Sequence, residues 1–287
     1  MKVCLAGYGL IGREWVRHYR ADAFEVAVWN RSPRPEAPGF NPDLGHALAG
    51  ADVLHLVVAD PAAVESVLTL AGDRIGPGLL VIQSSTISPS AAGTFEAFCL
   101  QRGAAYAEAP FTGSKPAAEA RQNVFYLGGA KEAKDQAARV LHGLSRKIVD
   151  IGTVAQASAL KLAMNLQIAS ISQALAEGLS LARRSGISDA CFFDVLECNI
   201  ARSGLSDLKK DKLIRRDYDP QFSVKHMAKD LRLALETGSP SEFPLTSTLA
   251  GIYRQGLDAG WGEDDFSALI RLLEAEAVGG KKREQGP

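Results

Sequence analysis

The stretch from Val154 to Ser185 constrains the chain more than any other. It has no proline and one glycine, Gly178, and is otherwise rich in good helix formers, so it reads as a single helix that Gly186 stops. At ~1.5 Å per residue that helix is about 48 Å long. This is more than a small domain needs, so it spans two domains or two subunits. Met164, Ile168, Ile171, Leu175, Leu179 and Ala182 recur at helical spacing, yet the other faces are also Ala, Leu, Ser and Gln, with no charge from Leu162 to Ala176. A helix apolar on nearly all sides is buried between partners. A membrane span is the rival reading, but the uncharged run is short of the ~20 residues a bilayer needs and includes Asn165, Gln167 and Gln173. Lys161 and Asn165, one helical turn apart, stack on one face, where a cation and an amide can address the same small ligand.

The N-terminus supplies the second constraint. Lys2 to Ala6 is an apolar run ending in Gly7-Tyr8-Gly9-Leu10-Ile11-Gly12, and helical spacing follows from Ile11 to Arg20. Strand, glycine turn and helix in that order fit a dinucleotide fingerprint: Gly7 for the tight turn, Gly9 for backbone approach to a pyrophosphate, Gly12 for helix-on-strand packing. The diphosphate would sit on the N-terminal amides of that helix, beside Leu10 and Ile11. Three glycines can also simply make a turn, and their place between a strand and a helix favours the ligand. The next strand, Glu25 to Trp29, ends in Asn30-Arg31-Ser32, where an NAD-preferring site would place an acid on the ribose. Arg31 can stack on adenine or fork onto a 2′-phosphate and Ser32 can donate to the same group, so the sequence favours NADPH over NAD. An exposed loop arginine is the alternative.

Further strands are predicted at 53–58, 79–83, 104–107, 124–127 and 147–151, separated by helices near 61–71, 89–102 and 131–144. Such alternation predicts an α/β, doubly wound Rossmann domain over 1–152. From Val154 onward only helices are predicted, near 188–197, 205–215, 223–237, 245–258 and 265–277. An all-helical domain for substrate and dimerisation therefore covers 153–280, with a tail at 281–287. In doubly wound sheets ligands bind outside the carboxyl ends of the strands. Asp60 before Pro61 is read as a helix cap. Thr86 is placed to meet the nicotinamide half of a dinucleotide, whereas Ser88 can be a cap. In the loop from Ala109 to Pro116, Thr112 offers a hydroxyl and the amides around Gly113 and Ser114 can nest the carboxylate of a small-molecule substrate. A turn without a ligand is the alternative there.

A formal charge of −1 and pI near 6.5 provide no field to recruit nucleic acid or an anionic membrane. Cys4, Cys99, Cys191 and Cys198 have neither metal nor redox-pair spacing, so buried thiols in a reducing compartment are expected and no metal site is. The apolar run before the glycines is shorter than a signal-peptide core, and a cytoplasmic protein is expected. Lys281, Lys282 and Arg283 read as a solvated end.

The chain resembles the β-hydroxyacid dehydrogenases, which include 3-hydroxyisobutyrate dehydrogenase and the glyoxylate/succinic semialdehyde reductases. The likeness runs nearly its whole length. It is carried by the glycine turn, Trp29-Asn30-Arg31-Ser32, Ser85-Thr86-Ile87-Ser88-Pro89, Ala109-Pro110-Phe111-Thr112-Gly113-Ser114-Lys115, Lys161 with Asn165, Lys225-His226-Met227-Ala228-Lys229-Asp230-Leu231, and Asp265-Phe266-Ser267. The Gly-Ser-Lys after Thr112 and the Asn-Arg-Ser after Trp29 look more like the NADPH-linked reductases. The resemblance implies that Lys161 is the proton donor, that Asn165 orients it and the substrate, and that Thr112 and Gly113 hold the substrate carboxylate. It also implies that Thr86 and Lys229 contact the cofactor and that the protein is a homodimer or higher homo-oligomer. These roles are chemically reasonable. The oxygen gaining negative charge as an aldehyde is reduced needs a nearby proton or cation, and burial would bring a lysine towards neutrality.

The sequence departs from the family in having Thr112 for the usual serine, Arg121 for a glycine before Gln122, and Ala155 and Ala157 for glycines ahead of the catalytic helix. Lost glycines alter backbone freedom or pocket walls, which bears on the substrate more than on the chemistry. The expected activity is NADPH-dependent reduction of small aldehyde acids. The alternatives are a 3-hydroxy acid dehydrogenase, an imine reductase-like enzyme, and a non-catalytic NADP-binding module; Lys161 with Asn165 weighs against the last two.

Overall fold

Lys2–Ala6 forms β1, and the glycine turn leads into α1 (Gly12–Ala21). The chain then alternates through β2 (Glu25–Trp29), α2 (Leu44–Ala47), β3 (Val53–Leu56), α3 (Pro61–Ala71), β4 (Leu80–Gln83), α4 (Pro89–Leu100) and β5 (Ala105–Glu108). The computed structural model describes residues 1–279; the expected tail at 281–287, with Lys281, Lys282 and Arg283, lies outside the described residues, as does residue 280. The strands β1 to β5 are parallel and ordered β2-β1-β3-β4-β5. Alternate residues of β1 feed two cores: Val3 and Leu5 join Trp15, Val28 and Ile82 on one face, and Cys4 and Ala6 join Leu54, Leu56 and Val81 on the other. A sheet buried on both faces explains why its strands are apolar runs rather than alternating ones.

The stretch from Ala109 to Pro116, expected as loop, contains a short strand, β6 (Phe111–Thr112), and the start of α5 (Lys115–Glu119). Next come β7 (Asn123–Gly129), α6 (Lys131–Leu141) and β8 (Ser145–Gly152), with β8 parallel to β7. Both β5 and β6 run antiparallel to β7 in one continuous register, Glu108 opposite Gly128 and Phe111 opposite Phe125. They are one strand line interrupted at Ala109-Pro110, where proline cannot donate to a ladder.

The chain divides into two compact units, the first Met1–Ala163 and the second starting at Met164. The long helix α7 (Val154–Arg184) begins in the first and ends in the second. The second unit is helical: α8 (Asp189–Glu197), α9 (Gly204–Arg215), α10 (Val224–Thr237), α11 (Pro244–Asp258) and α12 (Ile270–Gly279). Its core gathers Met227, Leu231, Leu249, Tyr253 and Phe266, with Leu179, Phe193 and Leu213 in a neighbouring cluster.

Met164, Ile171 and Leu181 on α7 are exposed in the single chain. One expectation is corrected. Cys4 and Cys99 are buried, but Cys191 and Cys198 are exposed, the first on α8 and the second at its C-terminal cap. No helix among the described residues is long and apolar enough to cross a membrane.

The segment expected as one helix over 265–277 starts with a 3-10 turn, Phe266–Leu269, because Asp265 captures local donors. Its carboxylate accepts from Ser267 N–H and Oγ, from Gln221 N–H, and from Lys209 Nζ at 2.8 Å, with both charged side chains almost wholly buried. Burial lowers the Lys209 pKa, and Asp265 opposes that shift. Removing one partner of such a pair strands the other. Lys209→Met is therefore expected to lower unfolding free energy by about 3 kcal/mol. Urea denaturation checks this, and a loss below about 1 kcal/mol would contradict it.

Candidate active site

The glycine turn is fixed by two backbone contacts. Gly7 has φ +115°, and a Cβ there would stand 2.1 Å from the Val57 carbonyl oxygen, just beyond β3. A Cβ on Gly12 would stand 1.9 Å from the carbonyl oxygen of Gly7. Gly9 is exposed with nothing within 4 Å of its Cβ position. Strand order reverses between β1 and β3, so the turn stands at the switch point of the sheet. Ile11 caps α1 without a side-chain hydrogen bond. Asn30 braces this region: its Oδ1 accepts Tyr8 N–H at 2.9 Å and its Nδ2 donates to the Ser32 carbonyl at 2.8 Å. Arg31 and Ser32 are exposed beyond it, and Leu10 and Ile11 are exposed and half-buried. An open surface at Gly9, a helix start without a side-chain cap and an exposed arginine at the end of β2 fit a dinucleotide.

Caps account for two loop residues. Asp60 accepts Ala63 N–H at 2.8 Å and Ser88 accepts Ala91 N–H at 3.2 Å, as helix N-caps do. Thr86, between them, is half-buried. Thr112 lies on β6, and its hydrogen bond with Tyr126 opposes the raising of that phenol by burial. Gly113 has φ +119°, and a Cβ there would meet Asn123 Nδ2 at 2.7 Å. Ser114 caps α5 without spending its side chain on that helix.

On α7, Lys161 is 9% exposed, with Nζ 5.9 Å from the centre of the Phe111 ring. In the second unit, Asn165 is buried and donates from Nδ2 to Asp230 Oδ2 at 2.5 Å, while Lys229 pairs with Asp230 Oδ1 at 3.0 Å.

Several polar residues escaped sequence reasoning. Asp230 holds both Asn165 and Lys229. Glu108 is wholly buried and receives hydrogen bonds from Gln83, Tyr106 and Ser158. Burial pushes its carboxyl up to about 8 against those hydrogen bonds. His55, buried in β3, bonds Tyr19 OH at 2.8 Å and Ser84 Oγ at 2.9 Å and stacks on Trp15. The available signal was an acid or imidazole embedded in an otherwise apolar strand.

The departures from the family pattern have local explanations. Arg121 has φ +58°, a conformation glycine adopts freely, and its guanidinium forks onto Asp22 at 2.6 and 2.9 Å. Ala155 and Ala157 lie in the first turns of α7, and Ala157 packs against Gly128.

Residues 2–152 match the family described as the NAD binding domain of 6-phosphogluconate dehydrogenase, and residues 155–273 that described as NAD-binding of NADP-dependent 3-hydroxyisobutyrate dehydrogenase. The chain belongs to the β-hydroxyacid dehydrogenases. It is accordingly an NAD(P)-dependent oxidoreductase of the CH–OH/carbonyl class. Among its relatives in that family, Glyoxylate/succinic semialdehyde reductase 1 of Arabidopsis thaliana is 26% identical over 96% of this chain and 99% of its own length. The structure of 3-hydroxyisobutyrate dehydrogenase from Mycobacterium tuberculosis with L-serine superposes with a TM-score of 0.83 at 26% identity, over 95% of this chain and 98% of that one. The Salmonella typhimurium 3-hydroxyisobutyrate dehydrogenase gives 0.86 at 25% identity, over 95% and 99%.

Burial holds the His55 imidazole down at about 3, against about 6.5 for an ordinary histidine. The unfolded chain therefore binds a proton that the folded chain refuses. The stability this contributes is present above pH ~6.5 and is lost as pH falls towards ~3, at up to about 1.4 kcal/mol per pH unit. His55→Gln is expected to flatten the decline in unfolding free energy between pH ~6.5 and ~4. Parallel pH profiles for wild type and variant would show that another group carries it.

Proposed function

We propose that this β-hydroxyacid dehydrogenase is an NADPH-dependent reductase of small aldehyde acids, of the glyoxylate and succinic semialdehyde type. The observation that carries the reading is Lys161, a nearly buried lysine, 9% exposed, with Nζ 5.9 Å from the centre of the Phe111 ring and one helical turn before the buried Asn165. The Arabidopsis relative bears the name of that activity. When bound, the nicotinamide cofactor supplies the reducing equivalent. The chain's residues do the rest. The amides after Gly7 and Gly9 and the first turn of α1 hold the diphosphate, with Leu10 and Ile11 alongside. Arg31 and Ser32 take the 2′-phosphate, with Asn30 fixing their backbone. Thr86 borders the nicotinamide.

Thr112 and the amides of Gly113 and Ser114 hold the substrate carboxylate. Lys161 Nζ gives its proton to the carbonyl oxygen as negative charge develops there, and Asn165, one turn along the same helix, keeps the oxygen oriented. A second reading is the opposite direction, oxidation of a 3-hydroxy acid, with neutral Lys161 accepting the proton. It is favoured by the L-serine of the Mycobacterium tuberculosis structure, which is itself a hydroxyl-bearing acid.

A panel of aldehyde acids, 3-hydroxy acids and imines, followed by cofactor absorbance, separates these readings. Lys161→Ala is expected to lower kcat by about 10²- to 10⁴-fold while NADPH still binds. Near wild-type turnover would mean that the proton comes from elsewhere. Arg31→Ala is expected to raise KM for NADPH by about 10-fold or more with little change for NADH. Equal effects on the two cofactors would remove the basis for NADPH preference.

A further inference from the structure

Glu108 ends β5 with no solvent exposure, immediately before the strand break that leads to Thr112. Its Oε1 accepts from Gln83 Nε2 at 2.9 Å and from Ser158 Oγ at 2.9 Å, and its Oε2 accepts from Tyr106 OH at 2.7 Å. The Gln83 amide has only one orientation here, because its Oε1 accepts the backbone N–H of Ser85 at 2.5 Å. Its Nε2 thus faces Glu108 and the Ser85 carbonyl, the latter at 2.9 Å. Ser85 Oγ in turn accepts Val58 N–H at 2.8 Å. One carboxyl thereby joins the ends of β4 and β5 directly, and the end of β3 through Ser85. Through Ser158 it also reaches the turn of α7 that carries Lys161, three residues later. A buried acid is expensive, and a packed leucine would hold the strands together at lower cost. What leucine could not do is direct three donors from separate elements onto one point.

We infer that Glu108 is a positioning residue for catalysis, setting the Ser85–Thr86 turn and the Lys161 turn of α7 in fixed relation through Gln83 and Ser158. The inference rests on Lys161 being the proton donor. Glu108→Gln is the conservative replacement: its oxygen keeps the bonds from Gln83 and Ser158, and its amide can donate to the Tyr106 hydroxyl. Ser158→Ala cuts only the link to α7 and leaves Gln83 and Tyr106 bonded to the carboxyl. Glu108→Leu cuts all three.

The test is steady-state kinetics with NADPH and the best aldehyde acid of the panel, with NADPH affinity from fluorescence and amide hydrogen exchange of the NADPH-bound protein. The expected result is a fall in kcat of about 10-fold for Ser158→Ala and about 100-fold for Glu108→Leu, and within about threefold of wild type for Glu108→Gln. NADPH affinity should change less than about threefold, since none of these groups belongs to the proposed diphosphate or 2′-phosphate site. Exchange across residues 84–88 and 155–163 should quicken in Ser158→Ala and Glu108→Leu and stay at the wild-type level in Glu108→Gln. If Ser158→Ala and Glu108→Leu keep wild-type kcat and exchange, the inference is overturned. If they only melt earlier while kcat is unchanged, the carboxyl is structural and the inference is equally overturned. If wild type reduces no carbonyl acid yet shows the expected exchange pattern, the substrate reading fails and the coupling of the two turns stands.

Discussion

The first unit depends on a single backbone approach, Gly7 against the carbonyl of Val57. The reversal of strand order at β1 and β3 opens a crevice only if the turn leaving β1 can pass close to the end of β3. Any side chain at Gly7 would force those strand ends apart, and any side chain at Gly12 would push α1 off the same turn. The position of α1, and with it that of its N-terminal amides, follows from two absent Cβ atoms. Gly9 has no such contact, so its lack of a side chain serves the outward surface instead.

Around that turn, buried polar groups tie together strand ends that hydrophobic packing alone would leave free to slide. Tyr19, His55 and Ser84 link α1 to β3 and the end of β4, and Gln83, Glu108 and Ser158 link β4 and β5 to α7. Each group loses hydration on burial and recovers it in hydrogen bonds, so little net stability results. The gain is directional, because the groups have one mutually satisfied arrangement. The second unit uses ions in the same way: Asp265 collects Lys209, the Gln221 N–H and two donors of Ser267 at the start of the 3-10 turn, and Asp230 collects Asn165 and Lys229.

What could be read in the sequence was local. The glycine turn, the missing acid at Arg31, the caps at Asp60 and Ser88, and the spacing of Lys161 from Asn165 each lie within a few residues, and periodicity located the strands of the parallel sheet. Glu108 was not legible because two of its three partners lie 25 and 50 residues away, and an acid in a strand carries no sign of what will satisfy it. The strand Phe111–Thr112 is too short for a pattern and exists only because β7 offers it a partner in the register already set by Glu108 and Gly128. The uniformly apolar composition of α7 could not show which of its faces the chain itself covers. The glycine usual in the family at Arg121 signalled a special backbone there, but not that the arginine keeps it.

That arginine also bears on how the segment after Thr112 is held. A non-glycine residue at φ +58° is strained, by about 1 kcal/mol or more, and the fork of Arg121 onto Asp22 at the end of α1 offsets the strain. The same helix grips the loop at other points. Arg17 and His18 meet the carbonyls of Glu119 and Ala118, and Trp15 donates to Asn123, whose amide lies against Gly113. The segment from Gly113 to Asn123 is therefore docked along α1 from its first turn to its cap. Because α1 is also the helix whose start completes the glycine turn, displacement of one moves the other. The loop and the turn are held by a common element, so a carboxylate on the one and a diphosphate on the other would be placed against one internal reference rather than against two independently moving surface segments.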